Sequence, residues 1–185
     1  YARMFCLPFD KYYLLLVEDI AHKQLQSNSK QMNQQLEKGT PILKHLTEAI
    51  KNKEITVYLQ PKVELYKERI CSMEALARWI SPDLGFVSPA EFIPVAESAG
   101  LVDEIDFLVI EQVFNWQQQR QFEGKRIVPI AVNISPDHFY HPLFVTQLRK
   151  LLQTYYVDPK FVIIEITENL GLVDYERART ILNDL

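Results

Sequence analysis

Cysteine is scarce. Cys6 and Cys71 are the only two in 185 residues, and they lie too far apart to form a metal or redox motif. Reduced thiols of a cytosolic protein are the expectation. Histidine is scarce too. His22, His45, His138 and His141 show no convergent spacing, so each is expected to be solvated rather than a ligand. There is no excess of basic charge. The net charge is −4, without the electrostatic footprint that duplex nucleic acid or an anionic membrane would require. Long hydrophobic runs are lacking as well. Tyr12–Val17 falls far short of the roughly 20 residues that span a bilayer. Neither repeats nor low-complexity tracts occur. The chain lacks an initiator Met and starts and stops inside regular patterns, which suggests a piece of a longer protein.

What is present is ordinary globular composition, 48% hydrophobic and 24% charged, on a chain long enough for one full core. "KYYLLLVEDI" reads as a strand closing something upstream. Residues 21–40 are polar, Gln-rich and free of proline, with a thin apolar stripe at Leu25, Met32 and Leu36, and read as a connecting helix. Gly39, Thr40 and Pro41 supply a stop and a restart. The next helix is expected over 41–53, burying Ile42, Leu43, Leu46, Ala49 and Ile50. "EITVYLQPKVEL" and "RICSMEALARW" read as two strands of an antiparallel hairpin turned by "YKE", with Pro61 pushing the first toward an edge or its own end. "SPDLGFVSP" reads as a loop. Ser88, Pro89 and Glu91 then form a capping box. A long helix follows, with Ile105, Leu108, Val109, Gln112, Val113 and Trp116 on one face. Strand "RIVPIAVNIS", helix "HPLFVTQLRKLLQTYY", strand "KFVIIEITE" and helix "DYERARTILNDL" complete an α/β alternation with a parallel sheet.

Sites in such sheets form at the carboxyl ends of strands. Three strands carry polar residues there: Glu74 with Arg78 four residues on, Asn133 after "IAV", and Glu165 and Glu168 in "VIIEITE". Two carboxylates and an amide suit a hard divalent cation. Arg78, with its planar fork, suits a phosphate. Metal beside arginine points to phosphoester chemistry. Each residue also has a plainer role. Glu74 can pair with Arg78 along one strand face, and spacing alone favours that ion pair. Asn133 can turn the chain. Glu168 can begin a helix and benefit from its dipole. Gln60 can be a strand-end amide. Glu165 resists a plain reading, because it follows four apolar residues where an unpaired charge is costly.

The blocks "VYLQPKVEL", "MEALARW", "SPAEFIPVAESAGLVDEID", "VNIS" and "IEITE" occur in an order and spacing that resembles the EAL family of cyclic di-GMP phosphodiesterases. Glu74-Ala75-Leu76 is the naming triplet, and the likeness covers about residues 42 to 185. It implies a modified TIM-type barrel with an antiparallel first strand, present here only in part. It implies hydrolysis of cyclic di-GMP to linear pGpG with two Mg²⁺ or Mn²⁺ ions. It makes Glu74, Asn133 and Glu165 metal ligands, with Glu74 and Glu168 catalytic, Glu168 steadying the loop over the site. Arg78 becomes a phosphate contact, Gln60 and Leu76 line the nucleotide pocket, and Pro94 packs near a guanine. The family's later "DDFGTG" aspartates, lysine, loop glutamate and glutamine lie beyond Leu185. The 185 residues alone are therefore expected to be inactive.

The expected division is 1–20 as the end of an upstream domain, 21–40 as a linker helix and 41–185 as a partial EAL domain. "YYLLLVEDIAHKQ" resembles the last strand and exit of a PAS sensor domain, with Ala21 departing from the pattern; the tail of a degenerate GGDEF domain is the alternative. Cyclic di-GMP is the expected partner and duplex nucleic acid is not. A homodimer, an upstream sensory or GGDEF domain in the same chain and a cytoplasmic location are expected, any membrane attachment coming from further upstream. The competing readings are an inactive EAL domain that senses cyclic di-GMP and one that serves interaction only.

Overall fold

The computed structural model describes residues 2–9, 12–19, 41–167 and 175–184. The connecting helix expected over 21–40, with His22, lies outside the described residues, as does Glu168. Seven strands form one sheet: β1 (Ala2–Phe9), β2 (Tyr12–Asp19), β3 (Ile55–Glu64), β4 (Arg69–Ser81), β5 (Gly85–Val87), β6 (Ile130–Ile134) and β7 (Val162–Thr167). Their order is β1-β2-β7-β6-β4-β3, with β5 paired to β4. The strand β3 runs antiparallel to β4, while β4, β6 and β7 run parallel. This is the expected partial barrel with its antiparallel first strand. The helices are α1 (41–51), α2 (Pro89–Ser98), α3 (Val102–Phe122), α4 (Pro136–Phe139), α5 (Phe144–Thr154) and α6 (Tyr175–Asn183). The hairpin turn closes on Glu68 in the left-handed region, at φ 45°. Pro61 stands on β3, the terminal strand of the sheet, where a missing N–H costs least. The expected loop between β4 and α2 contains β5, a pairing of only three residues that sequence pattern does not announce.

The core forms where the helices meet one face of the sheet. Ala75 and Trp79 of β4 are buried on that face, against Phe92 of α2 and Phe114 of α3. Trp79 meets Phe92 edge-on at 5.8 Å and donates its indole N–H to Glu54 at 3.0 Å. Burial with its polar tip satisfied is how a tryptophan contributes most. From α1, Leu46, Ala49 and Ile50 are buried as expected, but Leu43 is exposed, so the apolar stripe is narrower than its sequence suggests. On α3 the expected face is wider than a single stripe. Ile110, Phe114 and Gln117 are buried along with Ile105, Val109 and Val113, and Leu108, Gln112 and Trp116 are only half-buried. Two glutamines tie this helix to the sheet. Gln112 donates to the Ile55 carbonyl at 2.9 Å and Gln117 to the Phe161 carbonyl at 2.8 Å.

Helix ends are fixed by local chemistry. Ser88 donates its N–H to the Glu91 carboxylate at 3.2 Å, the reciprocal half of the expected capping box. At the far end of α2, Gly100 takes φ 68° and Leu101 N–H reaches back to Ala96 at 2.9 Å, a Schellman closure that only glycine makes without strain. These caps set the angle at which α2 and α3 stand over the carboxyl end of β4.

Candidate active site

The alternation in β4 places Glu74, Leu76 and Arg78 on the face opposite Ala75 and Trp79. Across the hairpin, Gln60 is registered with Glu74 and Tyr58 with Leu76. On the other side β4 pairs with β6, Glu74 beside Ala131, and β6 pairs with β7, Asn133 beside Glu165. Four neighbouring strands therefore carry the polar residues singled out in the sequence.

The ion pair that spacing favoured is not formed. Arg78 donates instead to the Ala77 carbonyl at 2.8 Å, and its guanidinium stands 5.8 Å from the centre of the Tyr58 ring. Glu74 faces Lys62. The Lys62 ammonium lies 3.1 Å from Glu74 Oε2 and 3.1 Å from Glu165 Oε1, joining β4 to β7 through a side chain of β3. Burial disfavours its charge, but the hydrogen bonds it donates to Glu165 and Glu74, with their negative charges, outweigh burial and raise its pKa above the usual lysine value of 10.5. Glu165 is buried, as the apolar run before it required, and this ammonium answers its charge. Lys62 sits in the "QPK" block, and its register opposite Ser72 puts it on the Glu74 face. That register depends on a bulge at Cys71, which the sequence does not reveal.

A cleft of about 240 Å³ opens between β4, β6, α2 and the start of α3, and Glu74, Lys62 and Glu165 are not among the residues that line it. Leu76, Arg78 and Asn133 line it, together with Ile93, Glu97 and Asp106. Gln60 is exposed and Pro94 stands exposed on α2, both outside the lining, where Ile93 and Pro89 of α2 serve instead. Under the cleft a buried group escaped the sequence reading. Asp106 Oδ2 accepts the Ser135 N–H at 2.9 Å, and His138 Nδ1 lies 3.1 Å from the same oxygen. His138 is fully buried between Phe107 and Phe144, against the expectation that it is solvated; only its carboxylate partner makes an imidazole affordable there. His141 is exposed, and His45 lies 3.4 Å from Asp83. The group ties α3 to the loop just after Asn133. The sequence signal was weak, since Asp106 follows Asp103 and Glu104 closely and differs from them only in its apolar neighbours Ile105 and Phe107.

The EAL domain family profile matches residues 43–185. The chain belongs to the EAL-domain family. The bifunctional diguanylate cyclase/cyclic di-GMP phosphodiesterase MucR of Pseudomonas aeruginosa is 29% identical over 154 residues, 83% of this chain and 22% of that protein. A second cyclic di-GMP phosphodiesterase of that organism is 31% identical over 153 residues, 82% of this chain and 26% of its own. The solved MucR phosphodiesterase in complex with c-di-GMP superposes with TM-score 0.72 and 29% identity, covering 77% of this chain and 58% of that one. The chain thus spans about a quarter of the curated relatives it matches, and the EAL domain here is partial. No helix among the described residues is long and apolar enough to cross a membrane.

The donor chemistry of this EAL site fits a divalent ion. Two carboxylates already close on a single cation, and a neighbouring amide adds a neutral oxygen of the same hard class. Among the described residues no three His, Cys, Asp or Glu side chains gather around one point.

Proposed function

We propose that the natural full-length protein is a metal-dependent phosphodiesterase that hydrolyses cyclic di-GMP to linear pGpG. The observation that carries this reading is the convergence of Glu74 and Glu165, from separate strands, on one positive charge, while Arg78 of the Glu74 strand and Asn133, registered beside Glu165, line a cleft. The names of the two Pseudomonas relatives support it. Glu74, Asn133 and Glu165 would hold Mg²⁺ or Mn²⁺, which supplies positive charge for the phosphate and acidifies a water. The chain's own residues do the positioning. Arg78 turns its fork from the Ala77 carbonyl to a phosphate oxygen. Leu76 and Ile93 give one nucleotide an apolar wall, with Gln60 at its margin. The water's oxygen bonds to phosphorus, and the P–O3′ bond breaks. The 3′ oxygen leaves with a proton, which gives the linear dinucleotide its 5′ phosphate. Glu168, by family likeness, would serve the same reaction. Three ligands are fewer than a two-ion site requires, so residues 1–185 by themselves are expected not to turn over.

Chromatography of cyclic di-GMP incubated with the full-length protein and Mg²⁺ tests the proposal. Accumulation of pGpG is expected, falling by at least a hundredfold in Glu74→Ala. Near-normal turnover in that variant would remove Glu74 from the site. Retained binding of cyclic di-GMP without any pGpG would favour the sensor reading.

A further inference from the structure

We propose that Lys62 is a built-in counter-ion: it holds the cation position between Glu74 and Glu165 until a divalent ion displaces it. The inference rests on the reading of those two carboxylates as metal ligands. Glu165 is 5% exposed, and among the described residues Lys62 is its only hydrogen-bond donor. A carboxylate that buried needs a cation at all times, because leaving it unpaired costs more than any surface rearrangement returns. The ammonium meets that need from β3, a strand that supplies no ligand to the proposed metal shell. It takes one oxygen from each carboxylate, 3.1 Å from both. A divalent ion held by the same oxygens would sit within a few ångströms of the ammonium. Three positive charges would then face two negative ones, so the two cations compete.

The side chain is suited to yielding. Lysine carries a compact charge on a flexible four-carbon stem, and the Lys62 side chain is 39% exposed, so it can withdraw to water without crossing the core. Lys62 also links side chains of β4 and β7, which flank β6, before metal arrives. It thereby preorganises the two oxygens at a cost in metal affinity. Coupling of this kind is reciprocal: whatever Lys62 takes from the metal's affinity, the metal takes from the Lys62 ion pairs.

The experiment is a Mn²⁺ titration of the full-length protein, followed by the electron paramagnetic resonance signal of free Mn²⁺. Lys62→Met should bind Mn²⁺ about tenfold more tightly than wild type. Lys62→Gln should do the same if the methionine variant does not fold. Mass spectrometry of the wild type should show acetylation of Lys62 several-fold faster once Mn²⁺ is added, with no variant needed. Glu165→Gln separates the two ideas. If it weakens Mn²⁺ binding while the Lys62 variants bind no tighter and Lys62 labelling is unmoved, the counter-ion is wrong and the metal site stands. If Glu165→Gln binds Mn²⁺ as well as wild type does, the metal site itself is wrong and the counter-ion falls with it.

Discussion

The two faces of β4 follow opposite rules. Toward the helices, Ala75 and Trp79 are buried, and the indole is held by an aromatic edge and one hydrogen bond. Toward the other side, Glu74, Leu76 and Arg78 are half-buried, and their charged members face the Lys62 ammonium and a backbone carbonyl. One strand thus carries a face selected for packing and a face that holds charge ready. Stability and chemistry are separated by the two-residue period of the pleat, so substitutions one residue apart should fail in different ways.

The largest difference in stability should come from comparing Trp79→Ala with Glu74→Gln. Removing the indole empties a fully buried position in the core and leaves Glu54 without its donor, a loss of about 3–5 kcal/mol. Glu74→Gln gives up one partner of a partly solvated pair, worth about 1 kcal/mol or less. Urea unfolding of both variants measures this directly. Equal losses would mean that the Glu74 face holds the fold as much as the Trp79 face does, and the division of labour would be lost.

This division was largely legible in the sequence. The alternation from Ser72 to Trp79, the capping box at Ser88 and the order of strands and helices depend on neighbours a few residues apart. Such neighbours are what periodicity reports. Of the residues grouped by family likeness, Gln60, Glu74, Leu76, Arg78, Asn133 and Glu165 fall on four neighbouring strands, with Asn133 beside Glu165, while Pro94 falls on α2. The sequence hid partners set by register or by buried exceptions. Lys62 meets Glu74 and Glu165 only because a bulge at Cys71 and two strand crossings bring them together. His138 looked like a surface residue because nothing nearby in sequence shows that Asp106, on another helix, is its partner. Spacing offered Arg78 as the partner of Glu74, whereas distance in three dimensions assigned Lys62.

The Asp106 group tests whether the loop after Asn133 belongs with the packed face or the charged one. It is built like core, buried and hydrogen-bonded, yet it borders the cleft. Asp106→Ala leaves the Ser135 N–H and the His138 ring without their acceptor, a loss of about 1–3 kcal/mol. Asp106→Asn keeps one acceptor oxygen and should recover part of it. Thermal melts of the pair decide the matter. An alanine variant as stable as wild type would place the loop's support elsewhere.

The smallest effect concerns Glu97, where the packed side and the charged side meet. Burial raises its pKa first, and the negative charges of Asp106 and Asp137 raise it further above the usual 4.5. The sign follows from proton linkage. A carboxyl whose pKa is raised by folding binds its proton more tightly in the folded state. Its contribution is fully present below pH 4.5 and is lost as pH rises through the raised folded value. Ionised Glu97 therefore costs stability at neutral pH, and Glu97→Gln, which keeps the shape without the charge, removes that cost. The variant should be more stable than wild type at pH 7, by about a few tenths of a kcal/mol because Glu97 is exposed and solvent screens its charge, with the gap closing toward pH 4. Denaturant midpoints measured across pH 4 to 7 test both the sign and the window. A gap that widens toward acid would mean that Glu97 is stabilised as a carboxylate, and that a cation, rather than the two aspartates, governs that wall of the cleft.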